Sequence, residues 1–295
     1  MARWRDLAQR SLTALMGAPT FAVATQNGVG VTVERLPPFE SRLLGETRVI
    51  DVYLPRDYTA DTTSAYPVIY ANDGQDMEAV GLAGTLDSLQ VNKRMAPAIV
   101  IAIHATERVR DYGTAYIPNA QGLGAGADIY GQFLIAELMK LVETRYRVRR
   151  GASHTAIMGW SLGGLSAFDL AWRHPNQFGA VGVFSGAFWW RTDDRDVAAR
   201  QASRIMHRRV RETPGHPALR MWFESGQQDE AADRDGNGVI DAVQDTEELI
   251  AELERKGYRR GRDIVHLTVQ GGHDLQTWKR LLPEWLSWAF PVRAT

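Results

Sequence analysis

Cysteine is absent from the sequence, which removes disulfides, thiolate nucleophiles and cysteine-held metals from consideration. An excess of charge of either sign is missing as well: 34 Lys and Arg against 35 Asp and Glu leave a formal net charge of -1. Such a balance provides no bulk attraction to nucleic acid or to an anionic membrane surface. No apolar run approaches the roughly 20 residues that a membrane-spanning helix needs. The stretch Met1 to Arg10 is interrupted by Arg3, Arg5 and Asp6, where a signal peptide requires an unbroken apolar segment. The expectation is a cytoplasmic protein with neither nucleic acid nor membrane as partner. Nothing in the composition speaks to oligomeric state.

What is present is ordinary for a globular chain with a sizeable core: 44% hydrophobic and 23% charged residues. No Pro/Ser/Gly-rich linker or internal repeat divides it. Residues 1–27 read as an N-terminal extension in which Trp4 to Met16 can form an amphipathic helix, and 28–295 as one domain. Gly28 to Glu34 and Thr47 to Leu54 alternate apolar and polar residues, as half-buried antiparallel strands do. Tyr66 to Ala71 and Ala96 to Ile103 are nearly continuous in apolar residues, which suits strands covered on both faces. Asp128 to Tyr146 then has helical spacing of its large apolar residues. Thr155 begins another strand, Leu165 another helix, and Ala180 to Ser185 a further strand. Leu219 to Phe223 (strand), Thr246 to Lys256 (helix), Asp263 to Val269 (strand) and Gln276 to Phe290 (helix) complete the alternation. It predicts an α/β fold: a mostly parallel central sheet with helices on both faces and antiparallel N-terminal strands leading into it. Ligands in such folds bind beyond the carboxyl ends of the strands.

The chemistry centres on Gly159-Trp160-Ser161-Leu162-Gly163, a serine between glycines at a strand-to-helix junction. That context is the one a nucleophile elbow requires. A serine hydroxyl is a weak nucleophile near neutral pH, so Ser161 needs a histidine to take its proton and a carboxylate to orient that histidine. His273 directly follows a predicted strand and sits in a glycine-flanked loop, which makes it the candidate base among seven histidines. Asp229, beyond the strand at Leu219, is the candidate acid, with Glu230 beside it and Glu224 shortly before. Backbone donors for an oxyanion are expected at Leu162, on the positive end of the new helix, and at Gln75, after the strand ending in Asn72-Asp73-Gly74.

Taken together, Asp73-Gly74-Gln75, Arg108-x-x-Asp111-Tyr112, Gly124-x-Gly126-x-Asp128, the elbow, Phe184-Ser185-Gly186-Ala187-Phe188-Trp189-Trp190 and Gly272-His273-Asp274 resemble the serine esterase family that groups feruloyl esterases, enterochelin-type siderophore esterases, S-formylglutathione hydrolases and antigen 85-type mycolyltransferases. The resemblance runs from about Thr47 to Phe290. It implies an α/β-hydrolase fold, a small-molecule ester substrate and carboxylic-ester hydrolysis without a cofactor. By that similarity Ser161, Asp229 and His273 match the triad, and Gln75 with Leu162 match the oxyanion hole. An acyltransferase would use the same groups, and an inactive ligand-binding protein on the same fold is the reading from another class. For the substrate pocket, Arg108 could favour an anionic group, while Trp189 and Trp190 could equally wall an acyl or aryl pocket or serve as core.

One further segment, Asp233-Arg-Asp235-Gly-Asn237-Gly238-Val-Ile-Asp241, resembles an EF-hand-type calcium loop. Asp233, Asp235, Asn237 and Asp241 are the candidate oxygen ligands of a structural calcium, but Gln244 stands where the closing glutamate belongs. The alternative is an Asx/Gly turn ahead of a helix.

Overall fold

The computed structural model describes residues 30–292. The 1–27 extension and its expected helix lie outside the described residues, and no described helix is long and apolar enough to cross a membrane.

Strands form where the sequence is rich in β-branched and aromatic residues. In chain order they are β1 (Thr32–Arg35), β2 (Phe39–Ser41), β3 (Glu46–Arg48), β4 (Ile50–Leu54), β5 (Val68–Ala71), β6 (Ile99–Ile103), β7 (Thr155–Trp160), β8 (Ala180–Phe184), β9 (Arg220–Gln228) and β10 (Ile264–Gly272). Eight of them form one sheet in the order β1-β4-β6-β5-β7-β8-β9-β10, and β2 with β3 makes a separate hairpin. From β6 to β10 all neighbouring pairs are parallel, whereas β4 runs antiparallel to β6 and β1 antiparallel to β4. The mostly parallel sheet with antiparallel N-terminal strands is therefore as expected. Every residue of β4 to β8 is buried, the mark of strands covered on both faces.

The helices are α1 (Leu82–Val91), α2 (Arg108–Asp111), α3 (Ala127–Gln132, continuing through a π-helical stretch Phe133–Leu138 into Met139–Arg145), α4 (Leu162–Arg173), α5 (Val197–Ala202), α6 (Ile205–Glu212), α7 (Asp241–Arg255) and α8 (Leu275–Ala289). One apolar cluster takes Phe133 and Leu134 of α3, Phe168 of α4 and Leu249 of α7 against one face of the sheet. The other takes Leu82 and Leu86 of α1 with Trp278 and Trp285 of α8. Helices thus cover both faces.

The expected strand Thr47 to Leu54 is in fact two strands. Arg48 is wholly buried and pairs with Asp111, itself buried, at the end of α2. Val49 turns outward instead, so the alternation read from the sequence breaks there. A buried guanidinium needs its carboxylate more than the chain needs an unbroken ladder, and β3 is drawn away into the hairpin over α2.

Candidate active site

Strand β7 passes directly into α4 at Ser161, which has φ 55° and ψ −124°. A non-glycine residue rarely adopts that backbone, at a cost of order 1–3 kcal/mol. The bend is held from β8: the Ser161 N–H donates to the Phe184 carbonyl at 2.8 Å, and the Ser161 carbonyl accepts from Ala187 at 3.1 Å. A Cβ at Gly159 would sit 2.4 Å from the Gly163 carbonyl oxygen, and one at Gly163 would sit 2.4 Å from Asp73 Oδ2. The two glycines let strand, helix and the loop after β5 meet around the serine.

That loop is more than a turn. Asn72 Nδ2 donates to the Gly163 carbonyl at 2.8 Å. Asp73 is wholly buried and receives both Nε (2.7 Å) and Nη2 (3.0 Å) of Arg108, while its N–H donates to the Tyr112 hydroxyl at 3.0 Å. Burial still holds the Asp73 carboxyl above its ordinary range, with Arg108 opposing. The Gln75 side chain is pinned between Asp73 Oδ1 and the Ala105 N–H. Among the described residues, neither the Gln75 nor the Leu162 backbone N–H has a protein acceptor. The Leu162 N–H belongs to the residue after the serine, and the Gln75 N–H to the loop whose Asp73 lies against Gly163.

Asp229 follows β9 in a tight turn. Its Oδ2 accepts from the Gly226 N–H at 3.1 Å and its Oδ1 from the Ser185 hydroxyl at 3.1 Å. His273 follows β10 and stands edge-to-face on Trp278, ring centroids 5.2 Å apart. Partial burial pulls the His273 imidazole below its ordinary value, against the charge of Asp229. Burial raises the Asp229 carboxyl, and the His273 charge opposes that. The two groups thus share one electrostatic neighbourhood, although no hydrogen bond joins His273 to Asp229 or to Ser161 among the described residues. Such bonds are often long without substrate and tighten in the reacting complex. Glu230 is exposed and has no side-chain bond to this group.

Three more residues complete the surroundings, of which the sequence offers Glu224 as an alternative acid and gives Trp278 and Ser185 no separate role. Trp278 stacks on Trp160 at 5.3 Å and 11°, and its Nε1 donates to Ser185 Oγ at 2.9 Å. Glu224, wholly buried in β9, places Oε2 3.4 Å from the same hydroxyl. Ser185 itself has φ 46°, a bend at the end of β8 like that at Ser161. Its motif is visible in the sequence, but nothing there ties it to Trp278.

Arg108 is drawn inward onto Asp73 and also donates to the Trp160 carbonyl at 3.1 Å. It thereby ties the loop after β5 to the strand end just before Ser161. Trp190 is 2% exposed and packs across Gly113 and Gly124, whereas Trp189 is 40% exposed. Of the two tryptophans, Trp190 is core and Trp189 is exposed, with the Arg191 guanidinium 5.9 Å over its ring. His104 pairs with Asp51 at 2.8 Å, away from the serine.

In the Asp233 segment the oxygens serve the loop's own backbone: Asp233 accepts from Asn237 and Gly238, and Asn237 from Val239. Asp235 accepts from Gln244, and Asp241 accepts from the Arg234 N–H at the start of α7. Among the described residues, the His/Asp/Glu atoms that converge as a metal would need belong to His207, Asp245 and Glu248. There the guanidinium of Arg204 already bridges both carboxylates.

Residues 41–289 match the family described as "Putative esterase". The chain is 24% identical over 147 residues to the uncharacterised protein YbbA of Bacillus subtilis, a match covering 48% of this chain and 58% of that protein. It is 27% identical over 153 residues to the iron(III) enterobactin esterase of Escherichia coli, covering 52% of this chain and 35% of that one. A solved ferulic acid esterase superposes on 90% of this chain and 100% of its own with a TM-score of 0.70 at 19% identity, a likeness of fold. The chain thus spans little over half the length of the first of these curated relatives and about a third of the second.

Proposed function

The chain belongs to the "Putative esterase" family, and on that premise we propose that it hydrolyses a small-molecule carboxylic ester through an acyl-enzyme on Ser161. In this reading Ser161 attacks the ester carbonyl as His273 takes its proton. The tetrahedral oxyanion forms against the Gln75 and Leu162 N–H groups, and His273 passes the proton to the leaving alcohol. Asp229 holds the imidazole and offsets the imidazolium charge. Water then repeats the sequence on the acyl-enzyme. No metal or cofactor enters these steps.

The observation that carries the proposal is the bend itself: a serine at φ 55° where β7 passes into α4, with the unused Leu162 N–H next in the chain. Backbone held in such a sparsely populated region clusters at active sites. Aryl esters are the first substrates to try, because relatives bear the names enterobactin esterase and ferulic acid esterase.

Ser161→Ala is expected to lower kcat/KM for p-nitrophenyl acetate and for a feruloyl ester by at least about a thousandfold, and to abolish labelling by a fluorophosphonate probe. Wild-type rates in the variant would overturn the proposal. Product analysis in the presence of a competing alcohol separates hydrolysis from acyl transfer.

A further inference from the structure

Glu224 is a buried carboxyl behind the site that the mechanism above does not use. Its side chain is wholly buried in β9, its Oε2 lies 3.4 Å from Ser185 Oγ, and its Oε1 has no protein partner. Ser185 Oγ also receives the Trp278 indole N–H at 2.9 Å and lies 3.1 Å from Asp229 Oδ1. A hydroxyl has one proton to donate and two lone pairs to offer. Trp278 fills one lone pair, which leaves one proton and one lone pair for two carboxyl groups.

If both carboxyls were ionised, they would compete for a single proton and one would face the hydroxyl oxygen with nothing between them. An ionised carboxylate so buried, with one shared contact at 3.4 Å, is costly. Asp229 is the group able to carry charge, since it has the Gly226 N–H, the Ser185 hydroxyl and the nearby imidazole. We propose that Glu224 is held as the neutral acid and donates its hydroxyl hydrogen to Ser185, so that Ser185 in turn donates to Asp229 and fixes the carboxylate that faces His273. Glu224 and Ser185 are then positioning residues, and every polar position of the hydroxyl is matched. The proposal rests on Asp229 being the acid of the esterase reading, but the protonation of Glu224 does not.

The charges around Glu224 agree. Burial and the Asp229 charge push its carboxyl up to about 8, with Ser185 and the more distant Arg280 of α8 opposing. As pH rises through that value Glu224 becomes charged, the Ser185 proton is shared between two carboxylates, and Asp229 loses its fixed donor. The arrangement resembles other carboxyl pairs whose environments drive their titrations apart.

The test has two readouts. Infrared difference spectra of wild type and Glu224→Gln near neutral pH should show a protonated-carboxyl band in the wild type alone, lost as pH rises through about 8. In ester hydrolysis, Glu224→Leu should lower kcat roughly three- to tenfold with KM little changed. Glu224→Gln, whose amide can donate to Ser185, should restore most of that loss and remove an alkaline fall in kcat present in the wild type. A wild type without the band near neutral pH overturns the proposal, whether or not any ester is hydrolysed. So does a Glu224→Gln variant that keeps the wild-type alkaline limb. A band that appears as expected in a protein that hydrolyses no ester would leave Glu224 neutral and sink the esterase reading instead.

Discussion

Arg108→Met keeps much of the side chain's length and removes the guanidinium that holds Asp73. In the wild type that carboxylate is wholly buried and accepts two bonds from Arg108, at 2.7 and 3.0 Å. The variant leaves it with the Gln75 amide at 3.2 Å. Breaking a buried ion pair from one side costs about 3–5 kcal/mol. The Arg108 side chain is 36% exposed, so water can replace part of the loss, and the lower figure of about 3 kcal/mol is the better expectation. For a chain of this size that is a fall in melting temperature of roughly 5 °C. The pH dependence has a definite sign. Burial already raises the Asp73 carboxyl, and losing Arg108 raises it further, so the folded variant binds a proton that the unfolded chain releases. Relative to wild type, the variant must therefore lose stability as pH rises and recover it as pH falls. Urea denaturation of Arg108→Met, Asp73→Asn and the double variant, near pH 5 and near pH 8, measures both effects. Asp73→Asn on the Arg108→Met background should regain stability, a coupling of order 0.5–3 kcal/mol. An Arg108→Met variant that unfolds at the wild-type urea concentration at both pH values, while KM for an anionic ester rises, would make Arg108 a substrate contact and refute the clamp.

Two further outcomes are expected. Because burial holds the His273 imidazole below its ordinary value of 6.5 and the proposed mechanism uses the neutral ring as base, the acid limb of kcat/KM should have its midpoint below 6.5; a midpoint above neutrality would contradict that mechanism. Because Asp233, Asp235 and Asp241 are engaged by the loop's own backbone and by Gln244, melting temperature should be the same in excess calcium and in chelator. A rise of several degrees with calcium would show that the loop reorganises around the ion.

The sheet was legible because burial on both faces writes itself into the sequence as continuous apolar runs. Ile99 to Ile103 and Thr155 to Trp160 contain nothing that a half-exposed strand would need. The serine bend was legible for a different reason: Gly159 and Gly163 stand where a Cβ would meet backbone or the Asp73 carboxylate, so sterics restrict those positions to one residue type. Long-range ion pairs leave no such trace. The Arg48 to Asp111 pair spans 63 positions, and its effect was to split an expected strand at Val49. Arg108 was likewise read as a pocket residue from its type alone, when its orientation is set by a buried aspartate 35 positions away.

Glu224 illustrates the same limit at the site itself. In the strand Arg220–Gln228 the outward-reading residue of the sequence is a glutamate between Phe223 and Ser225, and alternation alone would place it toward solvent. The register denies this. Glu224 is flanked by Phe184 on β8 and Leu267 on β10, in the interior of a sheet whose outer face there is covered by Trp278 of α8. A carboxyl in that position is tolerable only as the neutral acid or with a charged partner, and the side-chain group within hydrogen-bond distance of it is the Ser185 hydroxyl, with the Arg280 charge acting only from farther off. What the sequence presents as a third candidate for the acid therefore becomes, once strand order is known, the group least able to serve as one. Its burial instead favours Asp229, which accepts from the Gly226 N–H as well as the Ser185 hydroxyl and feels the His273 charge, as the carboxylate of the proposed mechanism.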